Sequence, residues 1–206
     1  LSYSRLNTFI KNKRTYYYKY IKQIPPTREL FSENEAKELG SSLHELLQNY
    51  YRTHKTGFEY ENFRVLLENS TLSKLDKALF KLRFKEFAEL EKAHFAEGFK
   101  VRACEQGFDS VPYKVDDKTI YLKGFIDRID EKGDELYIID YKTGKIPENS
   151  YQLAFYQALL GRKCEALFYD LNSMQKVCGK NTKNLDELNA LFSELLAQTD
   201  DIEFEK

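Results

Sequence analysis

Two acidic residues and a lysine fall where a pair of strands would gather them. The stretch Gly124-Phe125-Ile126-Asp127-Arg128-Ile129-Asp130 is followed by Ile138-Ile139-Asp140-Tyr141-Lys142-Thr143-Gly144-Lys145. Consecutive isoleucines mark a strand covered on both faces, and Asp140 arrives at its end. A carboxylate there is costly to bury unless something cationic compensates. Lys142 lies two residues on, and period-two alternation turns both side chains to the same face. A hairpin between Asp127 and Asp140 would bring both carboxylates to one end of a sheet. Two acids and an amine on one edge suit a hard cation such as Mg²⁺, which takes oxygen ligands and keeps several waters. Such an ion leaves positions for a phosphate and a nucleophilic water, and the ammonium could position that water or offset charge on phosphorus. Taken alone, Asp-x-Lys is more simply an ordinary ion pair at a strand end; the second aspartate at hairpin distance puts the two readings on a par.

Three more side chains fit the same edge. His44 follows Gly40 by one helical turn, so the missing side chain at Gly40 would let the sheet approach, and a neutral imidazole would complete a His-Asp-Asp set. A boundary histidine on a helix surface is the plainer alternative. His54 and His94 have no comparable setting and receive no role. Gln152 and Tyr156, four apart on the next helix, share a face that could lean over the strand end. Gln152 could orient a water or a phosphate oxygen and Tyr156 could hydrogen-bond backbone or stack on a base, or both could simply pack. Lys11, Lys13, Arg14 and Lys19 interleave with Tyr16, Tyr17, Tyr18 and Tyr20, a pattern that suits stacking on bases with cations along phosphates, or a buried tyrosine face under a solvated lysine fringe.

The elements that must position these residues follow from apolar spacing. Ser2 stands as a cap before Leu6, Phe9 and Ile10, and Pro25-Pro26 ends the first unit. A helix is predicted over 34–51, with Leu39, Leu43, Leu46, Leu47 and Tyr50 on its apolar face. Another is predicted over 72–95, where Leu75, Leu79, Leu82, Phe80, Phe84 and Phe87 give a broad buried stripe. The period then changes. Strands are predicted over 101–108, 120–129 and 135–141, the last two joined by a turn at Asp130–Asp134. A helix over 150–160, a strand over 165–171 and a helix over 184–198 complete the chain. One α/β domain is expected, mainly helical over 1–100, with the sheet and its flanking helices over 101–206.

Composition narrows the class. The 206 residues carry 32 Lys+Arg against 33 Asp+Glu, for a net charge of −1, with 42% hydrophobic and 32% charged residues. That is a globular composition, and its balance gives no general affinity for polyanions, so nucleic acid would have to bind through local patches or a metal. No apolar run reaches the ~18–20 residues of a membrane span. Leu1-Ser2-Tyr3 lacks the succession of a secretion signal, and a start without Met suggests a piece of a longer protein or a removed tag. Cys104, Cys164 and Cys178 are isolated, which excludes a disulfide scaffold and suits a reducing, cytoplasmic compartment.

Together, Gly-Phe-Ile-Asp-Arg-Ile-Asp, Ile-Ile-Asp-Tyr-Lys-Thr-Gly, the Gln-x-x-x-Tyr of the following helix and the upstream Gly-x-x-x-His resemble the RecB-type branch of the PD-(D/E)XK nucleases. The opening Ser-Tyr-Ser-Arg-Leu-Asn-Thr-Phe-Ile is similar to the start of the C-terminal nuclease domain of AddB-type helicase-nuclease subunits. The resemblance implies a restriction-endonuclease-like mixed central sheet flanked by helices, with an N-terminal helical part. It implies a Mg²⁺- or Mn²⁺-dependent deoxyribonuclease, an exonuclease processing DNA ends in recombination and repair, with a helicase partner. A catalytically idle DNA-binding or partner-docking module of the same fold is the alternative. On this resemblance His44, Asp127, Asp140 and the Tyr141 carbonyl would hold the metal, with Lys142 the catalytic lysine beside Asp140 and Asp127. Gln152 and Tyr156 would support the site, Glu105 is the candidate for a further acid on an earlier strand, and Lys11, Lys13 and Arg14 are candidate DNA contacts. Many relatives carry an iron–sulfur cluster on four cysteines. With three scattered cysteines here, none is expected.

Overall fold

The computed structural model describes residues 1–24 and 34–200; the Pro25-Pro26 break lies outside them. Helix α1 (Tyr3–Lys11) opens on Ser2, whose hydroxyl accepts from the Arg5 amide at 3.4 Å. A short α2 (Lys13–Tyr16) follows and leads into a π-helical turn (Tyr17–Ile21). Three helices then stack before the sheet: α3 (Asn34–Tyr51), α4 (Tyr60–Asn69) and α5 (Lys74–Ala96). The sheet runs in chain order, β1 (Lys100–Val115), β2 (Lys118–Lys132), β3 (Glu135–Lys142), β4 (Glu165–Asp170) and β5 (Gln175–Val177). All neighbours are antiparallel except β3 and β4, which are parallel and joined through α6 (Gln152–Leu160). Helix α7 (Leu185–Asp200) closes the chain.

The sheet separates two cores. On one face α1, α6 and α7 bury Leu6, Phe9, Phe155, Leu159, Leu188 and Phe192 against Ile129 and Ile138. On the other, α3, α4 and α5 bury Leu43, Leu47, Phe63, Phe84 and Phe87 against Ile139 and Tyr141. Ile138 and Ile139 thus feed opposite cores, as consecutive apolar residues in a doubly covered strand must. The mixed α/β sheet with helices on both faces is the architecture expected from the sequence.

The boundaries differ in places. The inward line of α5 is Phe80, Phe84, Phe87, Glu91 and His94, whereas Leu75, Leu79 and Leu82 are 79%, 40% and 66% exposed. At 3.6 residues per turn the two sets lie on different faces. The phenylalanines pack on Phe58, Phe63 and Tyr169, and each full burial contributes about 1.5–3 kcal/mol, so the aromatic line faces the core and the broad stripe does not form. Strand β1 continues beyond 108, through an irregularity between Phe108 and Val111, to pair Val115 with Lys118. Helix α4 and the short β5 were not legible in the periodicity.

Candidate metal centre

Helix α3 brings His44 to the end of β3 because Gly40 has no side chain: a Cβ there would lie 2.9 Å from Thr143 Oγ1. His44 Nε2 donates to the Tyr141 carbonyl at 3.1 Å. A carbonyl only accepts, so Nε2 carries the proton and Nδ1 keeps its lone pair. That Nδ1 lies 3.4 Å from Asp127 Oδ2 and 3.9 Å from Glu105 Oε1. One ligand atom from each of His44, Glu105 and Asp127 falls within 4.8 Å of the others.

Each member of this trio is held by the sheet. Asp127 sits on β2, where its Oδ2 also accepts the Tyr141 backbone N–H at 2.9 Å. Glu105 stands on β1 between Cys104, paired with Arg128, and Gln106, paired with Ile126. Its φ is +46°, a left-handed conformation that a non-glycine residue adopts at a cost of order 1–3 kcal/mol. Burial pushes the Asp127 pKa well above the usual carboxylate range, and the neighbouring Asp140 adds to it. Glu105 is raised by burial and then by Asp140. Desolvation lowers the pKa of His44 despite the pull of Asp140. A neutral imidazole and two half-buried carboxylates therefore turn lone pairs toward one point. A divalent cation fits that arrangement, since one ion can accept a lone pair from all three at once.

Asp140 and Lys142 form the adjoining half. Asp140 is 2% exposed; its Oδ1 accepts from Gln152 Nε2 at 3.0 Å, and Gln152 also donates to the Tyr156 hydroxyl at 2.8 Å. Its Oδ2 lies 2.5 Å from Lys142 Nζ, an ion-pair contact outside hydrogen-bonding angles, so that this buried oxygen still lacks a donor. Burial and the Asp140 charge also push the Tyr156 phenol far above its ordinary range.

The sequence-predicted residues are thus not all placed alike. His44, Asp127 and Glu105 converge. Asp140 is not part of that group; it ties Lys142 and Gln152 beside it. The Tyr141 carbonyl accepts from His44 in this arrangement. Lys11 lines a cleft of about 570 Å³ together with Lys142 and Gln152. Lys13 is paired with Glu194 of α7 at 2.6 Å, and the Arg14 guanidinium lies 5.8 Å from the Tyr18 ring. Tyr16 is buried in the α1–α7 core while Tyr18 stays exposed, so the tyrosine row divides between packing and surface.

One polar cluster went unforeseen. Arg128, fully buried, donates to both oxygens of Asp130 at 2.7 Å, to Glu91 at 2.6 Å and to the Tyr141 hydroxyl at 3.2 Å. His94, given no role from sequence, donates from Nε2 to Asp130 at 2.7 Å. Tyr51 hydrogen-bonds Glu91, and its ring lies 4.3 Å beneath the guanidinium. Only the Arg-x-Asp spacing on one strand face, at 128 and 130, hinted at the pair.

A family profile for the PD-(D/E)XK nuclease superfamily matches residues 1–205. No curated protein matches the chain in sequence. Among solved structures, SSO0001 is similar at 10% identity and a TM-score of 0.33, over 98% of this chain and 87% of that one. Protein VC1899 from Vibrio cholerae is similar at 13% identity and a TM-score of 0.29. The alignment takes in 79% of this chain and about half, 52%, of VC1899.

Proposed function

Because the chain belongs to the PD-(D/E)XK nuclease superfamily, we propose that this centre makes it a divalent-cation-dependent nuclease hydrolysing DNA phosphodiesters. The observation that carries the reading is the convergence of His44, Glu105 and Asp127 within 4.8 Å, beside a lysine held by a buried aspartate. His44 Nδ1 and the two carboxylates would hold Mg²⁺ or Mn²⁺. Bound there, the ion supplies Lewis-acid polarisation of a phosphoryl oxygen and a water of lowered pKa.

The chain's own residues do the rest. Lys142 is close enough to act electrostatically on both His44 and Asp127, so its ammonium would offset charge growing on a bound phosphate. Asp140 keeps that ammonium aimed, and Gln152 with Tyr156 fixes Asp140 in turn. The Tyr141 carbonyl holds the His44 proton on Nε2 and leaves Nδ1 as the ligand atom. The activity is that of an exonuclease trimming DNA ends in recombination or repair beside a helicase, as the AddB-type likeness implies.

Mg²⁺- or Mn²⁺-supported cleavage of DNA, run beside an RNA strand of the same sequence, tests this reading. Cleavage should stop on chelation and in Lys142→Ala, and calorimetric Mn²⁺ binding should be lost in Asp127→Ala. Cleavage that survives chelation, or Mn²⁺ binding indifferent to Asp127, overturns it. An idle binding module would show DNA binding with no cleavage in any metal.

A further inference from the structure

We propose that the outer face of β2 from Tyr121 to Phe125 is a stacking platform that leads a single DNA strand to the metal centre, an inference that rests on the nuclease reading above. Tyr121 and Phe125 are 58% and 64% exposed, with the exposed Lys123 between them. The exposure does not come from a loose strand. Leu122 and Ile126, on the opposite face, are fully buried, and a Cβ at Gly124 would already touch Leu159 of α6 at 3.4 Å. Period-two alternation therefore drives Tyr121, Lys123 and Phe125 outward together.

Gly107, opposite Phe125 on β1, sets the ring's attitude. A Cβ at Gly107 would stand 3.0 Å from Phe125 Cε1, so the ring lies down over bare backbone and leaves its other side to solvent. Phe125 also borders both clefts that reach the trio. One, of about 600 Å³, is shared with Asp127, Lys123 and Tyr156. The other, of about 420 Å³, is shared with His44 and Glu105. Successive same-face residues on a strand are about 6.8 Å apart, placing the two rings on the order of 13 Å from each other.

Ring, cation, ring in a line ending at a phosphodiester-cleaving centre suits unpaired nucleotides, whose bases stack on aromatics while a lysine meets the phosphate. A duplex hides its base faces and cannot use the rings. A protein partner fits poorly, because lysine is depleted from the cores of protein interfaces.

The chain contains no tryptophan, so Phe125→Trp makes a single reporter. With EDTA present to prevent cleavage, labelled oligothymidylate should bind the unaltered protein about 5- to 150-fold more tightly than an abasic strand of equal length. Phe125→Ala should reduce that difference, and the Tyr121→Ala/Phe125→Ala double variant should erase it. The indole emission of the Phe125→Trp protein should be quenched by oligothymidylate and unaffected by the abasic strand or a blunt duplex. Equal affinity for the two strands, or unquenched emission, overturns the platform. Metal-supported cleavage, measured in parallel, separates the two readings. Cleavage without base-dependent binding removes the platform alone, whereas base-dependent binding without cleavage removes the nuclease reading alone.

Discussion

Adjacent residues on the same two strands build polar clusters of opposite character. Arg128 and Tyr141 enter the α3–α5 side, while their neighbours Asp127 and Asp140 turn to the centre beside the end of β3. In the first cluster nearly every charge meets its complement: Arg128 binds Asp130 and Glu91, and His94 and Tyr51 complete them, although Glu91 Oε1 lacks a donor. Burial alone would raise Asp130, yet Arg128 and His94 outweigh it and hold its pKa below the usual range. In the second cluster Asp127 and Glu105 are both raised, by burial first and then by the facing Asp140. The same residue types thus make a fastening where signs alternate and a binding centre where they do not.

The contrast breaks first at the fastening. Arg128→Met should destabilise the fold by about 3–5 kcal/mol, since it strands Glu91 and Asp130 as buried charges; a denaturant midpoint unchanged from the parent would mean the network is not structural. Lys142→Ala should instead lower DNA cleavage by about 10²–10³-fold or more, with a smaller loss of stability than Arg128→Met because Lys142 is partly exposed and pairs with a single acid. Mn²⁺ at a hundred times its Kd should stabilise the parent by roughly 2.7 kcal/mol and fail to stabilise Asp127→Asn, read by calorimetry.

The sign of the pH effect sharpens the comparison. The folded pKa of Asp127 lies above its unfolded value of about 3.9. Without metal, the stability linked to its neutral form is complete below that value and is lost as pH rises through the folded one. Asp127→Asn should therefore be more stable than the parent at pH 8 in EDTA, with a gain that shrinks toward pH 4. Asp130 runs the other way. Its stabilisation is present above its unfolded value and disappears as pH falls through the lower folded one. The smallest effect belongs to the outside of α5, where Leu82→Gln should change stability by no more than about 0.5 kcal/mol.

Much of the centre could be read from residue order. Period two set Asp140 and Lys142 on one face, helical spacing set Gly40 behind His44 and Gln152 beside Tyr156, and the double isoleucine announced a covered strand. These are local regularities, fixed by the geometry of a strand or a helical turn. Other features depend on neighbours far along the chain. Leu75, Leu79 and Leu82 have the apolar spacing of a core stripe, but Phe58, Phe63 and Tyr169 face the phenylalanines instead. Nothing around Glu105 marks it until β1 is laid against β2 and its left-handed backbone appears.

Sequence alone determined the fold class, the strand carrying Asp140 and Lys142, and the residue types able to grip a hard cation. Only the tertiary structure decided that Glu105 joins His44 and Asp127 while Asp140 is tied to Lys142, and that Arg128 and His94 form a fastening. Side-chain direction is inherited from the local backbone, whereas the partner each side chain meets is chosen by long-range packing, where burial makes an unmatched charge costly and a matched one durable.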